Sequence, residues 1–244
     1  MGLFDRFRSA KKDDKPGAAA AKWAEAAGNK RAQNYDRQEA LTALAEMGTA
    51  EAATALLKRF TFHLDPSITD QEEKEVAFNG VLKAGADAIE PVRAFAVRAE
   101  SLAWPMRILK ELLAEDAYIE ELVLWLSKWD TEYSKFVDPK IQLLVALEDH
   151  KHPKIRAAVE PFLEDVNEPA RFHAVVTTLT QEDEAAIPAI VHALSEEESF
   201  RVKNKTAEGL AARGWSIPAD QHDAARRSLP PGFSLDSTGR VVKQ

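Results

Sequence analysis

Cysteine is missing from all 244 residues. Disulfides, thiolate metal sites and cysteine nucleophiles are thereby excluded, and a reducing cytoplasm is the compartment this fits. No apolar run approaches the about 18 residues of a membrane span. A secretory signal is not expected, because Asp5 and Arg6 interrupt the only apolar stretch of MGLFDRFRSAKK. Glycine-rich phosphate loops, catalytic-triad spacings and metal-ligand clusters are also missing. His63, His173, His192 and His222 are isolated, and His150 and His152 stand together only in the turn-like EDHKHP, where two ligands fall short of a metal site. No catalytic residue, metal or cofactor is therefore expected. Basic residues are scarce in the body of the chain. Residues 1–38 hold nine Lys/Arg against five Asp/Glu, a net of +4, and the remainder holds 23 against 35, a net of −12. Phosphate binding draws on clustered cations, so the body is not expected to bind nucleic acid.

What the chain does have is a recurring pattern. Leu44, Leu82, Leu113, Leu147, Leu179 and Leu210 each close an amphipathic stretch, at separations of 38, 31, 34, 32 and 31 positions. After each comes a short break and a second amphipathic stretch. Recurrence at this period marks helix pairs that bury their apolar faces by stacking on their neighbours. The first pair reads RQEALTALAEMGTAEAATALLKRF, with Gly48 as helix stop and Thr49 as cap of the next helix. The second breaks at Gly85, the fourth at His150 to Pro153 and the fifth at Thr180 to Asp183. FTFHLDPSITDQ reads as the longest insertion between pairs. The third pair is the most apolar, and Leu109, Leu112, Leu113, Leu122, Trp125 and Leu126 make it the expected centre of stability. Pro91 and Pro188 fall in first turns of second helices, where proline costs little, whereas Pro161 sits later and predicts a kink.

The two ends differ from the body. Residues 1–33 read as a basic amphipathic arm, with Leu3, Phe4 and Phe7 on one side of a helical turn and a linker broken by Pro16 and Gly17. A further short helix is expected around Trp23 to Ala27. Residues 34–229 form the helical body. Residues 230–244 carry a hairpin signature: Phe233 and Leu235, a turn at Asp236 to Gly239, then Val241 and Val242.

EALTALAEMGTAEAATALL, with its first helix, tight turn and second helix, resembles a HEAT repeat of the short bacterial kind also called phycobilisome-lyase-like, and AIPAIVHAL at 186–194 is similar to that family's second helix. The resemblance covers roughly residues 34–214. It implies an all-α, armadillo-like fold: a right-handed α-solenoid of about five to six HEAT-like pairs, closed by the small C-terminal β-hairpin. The implied task is that of a non-enzymatic protein-binding scaffold or adaptor. The alternative is a HEAT-like enzyme or enzyme subunit, lyase-like or DNA-glycosylase-like. Iron-binding members of the family use His-Glu pairs, and this sequence has no His-Glu dipeptide.

If second helices build the inner face of such a solenoid, Arg93, Arg98, Lys128, Lys154, Arg156 and His192 are candidate partner contacts. Trp125, Trp129, Tyr133 and Phe136 recur at helical spacing, which reads as core packing on one helix face, with Trp125 and Trp129 as candidate partner anchors otherwise. Glu182 to Glu184 and Glu196 to Glu198 read as solvated helix caps. Leu3, Phe4 and Phe7 complete the candidate set, for a protein partner or, at most, transient membrane contact.

Overall fold

Backbone capping decides where the helices of this chain start and stop. The structure is a computed structural model that describes residues 16–244. Its helices are α1 (Pro16–Ala27), α2 (Asn34–Met47), α3 (Ala50–Leu57), α4 (Ser67–Lys83), α5 (Ile89–Ala96), α6 (Ala103–Leu112), α7 (Glu115–Leu126), α8 (Asp138–Leu147), α9 (Ile155–Val159), α10 (Glu168–Thr180), α11 (Ile187–Glu196), α12 (Phe200–Arg213) and α13 (His222–Ser228). Gly48 ends α2 in the left-handed conformation at φ 60, which a side chain would strain, and the Thr49 hydroxyl then accepts the Ala52 N–H at the start of α3. Asn167 and Ser199 cap α10 and α12 in the same way. Pro91 and Pro188 lie in first turns as expected. At Pro161 the α-helix gives way to a 3-10 turn over Glu160–Glu164, so the expected kink is a change of helix type.

The C-terminal hairpin forms where the sequence places it. β1 (Phe233–Leu235) pairs antiparallel with β2 (Val241–Lys243), with Leu235 opposite Val241 and Phe233 opposite Lys243. Asp236 holds the turn: its Oδ1 accepts from the Thr238 N–H at 2.8 Å and the Arg240 N–H at 2.9 Å. β1 packs on α13 and β2 on α12.

The described residues fall into two units. The first holds residues 16–99 and Ala103–Leu113, and the second holds Glu100–Leu102 and Ala114–Gln244. In the first, α2 packs on α4 and α4 on α6, while α1 packs on α3 and α3 on α5. In the second, α8 packs on α10 and α10 on α12, and α11 packs on α13. Buried leucines fill both cores, among them Leu41, Leu44, Leu56 and Leu109 in the first and Leu122, Leu126, Leu143 and Leu144 in the second. Of the six marker leucines, five lie in α2, α4, α8, α10 and α12, and Leu113 directly follows α6.

Several expectations differ from what is found. The arm expected over residues 1–33 gives way at Pro16 to α1, which packs on α2 and α3 and buries Ala20 and Ala27. Proline suits a first helical position, and the alanines that follow have the highest helix propensity. The long insertion shrinks to residues 62–66, because α4 starts at Ser67 and the Asp70 carboxylate in its first turn accepts the Leu64 N–H at 3.0 Å. The third pair is divided between the units, α6 in the first and α7 in the second. The longest irregular stretch among the described residues is 127–137.

Candidate partner-binding surface

α7 opens with Glu115 and Asp116, acids that favour a helix N-terminus, and turns Tyr118, Ile119, Leu122, Trp125 and Leu126 into the second unit's core. Trp125 is only 5% exposed, so it packs inside. The helix stops before the rest of the aromatic series. The Ser127 hydroxyl donates to the Leu124 carbonyl, Asp130 accepts from the Glu132 N–H, and Ser134 closes a turn with Phe136. Serine and aspartate compete for backbone groups in this way. The expected single-helix stripe is therefore broken. Trp129 is half-buried, while Tyr133 is 84% and Phe136 55% exposed. Lys135 lies over the Phe136 ring, and Leu124, on the outer side of α7, is 52% exposed. Lys128 is exposed beside them.

Three charged candidates of the second unit, Lys154, Arg156 and His192, face carboxylates of neighbouring elements. Lys154 Nζ reaches Glu120 Oε1 of α7 at 2.5 Å. Arg156 holds Asp183 at 2.5 Å and Glu160 at 3.0 Å. His192 of α11 lies 3.4 Å from Glu164. The hydrogen bond and charge of Lys154 lower the Glu120 pKa, and the bond to Asp183 raises that of Arg156. Lys151, His152, Pro153, Arg156, Gln181 and Asp183 border a hollow of about 300 Å³ between these turns. Arg93 and Arg98 belong to the first unit, where Arg93 pairs with Glu90 at 2.6 Å and Arg98 is exposed after α5. Leu3, Phe4 and Phe7 lie outside the described residues.

Two internal ion networks went unread in the sequence. In the first unit Glu73 accepts from Arg37 at 2.8 Å and Arg59 at 2.6 Å, and Asp70 accepts from Arg59 at 2.8 Å and Lys74 at 2.7 Å. Arg59 is fully buried. Burial opposes ionisation of Asp70 most strongly, yet the bonds from Lys74, Arg59 and the Leu64 N–H prevail and hold its carboxyl well below the usual range. In the second unit Lys140 pairs with Asp165 at 2.5 Å, and Arg171 forks onto Glu197 at 2.8 and 2.9 Å. Glu197, expected as a solvated cap, is buried: the Ser199 N–H and the Arg171 fork draw it inward. These residues are far apart in sequence, and no local motif announces them.

Every charge in these networks is met by a counter-charge, which suits a structural role. Among the described residues no group of three His, Cys, Asp or Glu could hold a metal ion, and no helix is long and apolar enough to cross a membrane. The chain matches no protein-family model, no curated protein and no solved structure.

Proposed function

We propose that the chain is a right-handed α-solenoid of HEAT-like helix pairs that serves, without catalysis, as a cytoplasmic protein-binding scaffold or adaptor. Support for the solenoid comes from contacts that repeat at the marker period. Thr177 donates to the Leu144 carbonyl across 33 positions, Gln181 to His150 across 31, Ser199 to Glu168 across 31 and Arg213 to Leu179 across 34. Packing of helices two apart within each unit points the same way.

The observation that carries the binding reading is the exposed aromatic stretch from Leu124 to Phe136, whose Lys128 and Lys135 are balanced by Asp130 and Glu132. Large exposed apolar side chains such as Leu124, Tyr133 and Phe136 are the kind that anchor an interface. An enzyme reading asks instead for a pKa-shifted group open to a pocket beside Trp125 or Trp129. Trp125 is buried, and the shifted acids Asp70 and Glu197 are locked in ion pairs. Affinity capture with the full chain tests the reading. A partner held by the wild type is expected to be lost from Tyr133→Ala/Phe136→Ala at unchanged helical content, and equal capture by both proteins would refute it.

A further inference from the structure

The last first-helix of the second unit, α12, packs on α10 on one side and receives β2 on another. Between helix and hairpin runs a groove of about 500 Å³, lined by Glu208, Ala211 and Ala212 of α12 and by Phe233, Val241, Val242 and Lys243 of the hairpin. Val241 is buried, but Val242 is 39% exposed. Apart from its two charged residues, this lining is alanine, valine and phenylalanine.

The groove carries one charge of each sign. Among the described residues of its lining, Glu208 and Lys243 are the ionisable ones, and both are exposed. Among the described residues neither side chain has an ion-pair or hydrogen-bond partner, and they do not pair with each other. An apolar surface that carries one unpaired carboxylate and one unpaired ammonium is complementary to itself under a two-fold axis. Each Glu208 then meets Lys243 of the other copy, and the apolar walls close on each other. A basic or an acidic partner would satisfy one of the two charges and leave the other facing its like.

We infer that this groove is the contact of a homodimer, in which two copies join through α12 and the C-terminal hairpin. The inference stands apart from the scaffold reading and from the Leu124 to Phe136 stretch.

Sedimentation equilibrium of the full chain, from low to high micromolar concentration, tests it. The wild type is expected to pass from monomer to dimer. Val242→Asp should raise the dissociation constant about tenfold or more. Glu208→Lys and Lys243→Glu should each weaken the dimer, and the double exchange Glu208→Lys/Lys243→Glu should restore it. If circular dichroism shows Val242→Asp misfolded, the charge series decides alone, since both side chains are exposed. A wild type that stays monomeric throughout overturns the inference. So does a double exchange weaker than either single one, a folded Val242→Asp that dimerises like the wild type, or a dimer that vanishes when residues 1–15 are removed.

Discussion

Arg59 carries a charge into a place with no exposed surface, and Asp70 and Glu73 make that tolerable. Removing it leaves Glu73 with Arg37 and Asp70 with Lys74, but takes a buried donor from each carboxylate and empties a large buried volume. Arg59→Ala should therefore cost about 2–5 kcal/mol in denaturant unfolding, well above an ordinary surface change. Asp70 also gives the stability a pH dependence of known sign. Its folded pKa is depressed, so its contribution is complete above the unfolded value of about 4 and is lost as pH falls below that. Asp70→Asn should lower stability at neutral pH and flatten the acid limb of the melting curve, and an acid limb unchanged from wild type would contradict this. Gly80 makes a different demand. A Cβ there would stand 2.7 Å from the Cα of Ala45 and from the Leu56 side chain. Alanine would gain about 1 kcal/mol of helix propensity, but overpacking against a neighbouring backbone costs roughly 1–3 kcal/mol. Gly80→Ala should lower the melting temperature. The sequence shows none of this. Arg37 and Glu73 lie 36 positions apart, and each reads as one more solvated charge on an amphipathic helix.

At the scale of the element, what is local was legible and what is tertiary was not. Gly48, Thr49, Pro91, Pro188 and the Asp236 turn act within a few residues of themselves, and each does what its chemistry dictates. The aromatic series after Trp125 misled because helical spacing alone does not continue a helix through Ser127, Asp130 and Ser134. The consequence for stability is uneven along this stretch. Leu122 is wholly buried in α7, so Leu122→Ala should cost about 2–5 kcal/mol. Tyr133→Ala should stay within about 0.5 kcal/mol, as an exposed side chain does. Equal losses in urea titrations would mean that Tyr133 belongs to the core. α1 was partly legible: the helix at Trp23 to Ala27 was expected, but its seat on α2 and α3 was not. Ala27→Asp, a charge at a fully buried site, should destabilise the first unit by roughly 3 kcal/mol.

At the scale of the whole molecule, the separation of charge and the exposed aromatic stretch bear on function together. A net of −12 over residues 39–244 sets the body against nucleic acid, so duplex DNA or RNA should show no salt-sensitive binding in filter assays. The scaffold reading places recognition on the stretch from Leu124 to Phe136. The helical class and the hairpin could be read from the sequence. The stretch could be read only in part, because Trp129 and Lys128 were named for other reasons while the exposure of Tyr133 and Phe136 comes from the end of α7. Hydrogen–deuterium exchange on the full chain with and without its captured partner tests this claim most directly. The account predicts that the partner slows exchange across residues 127–137, and leaves α2, α4 and the Arg59 network unchanged. Protection confined to those helices, with residues 127–137 exchanging as in the free chain, would contradict it.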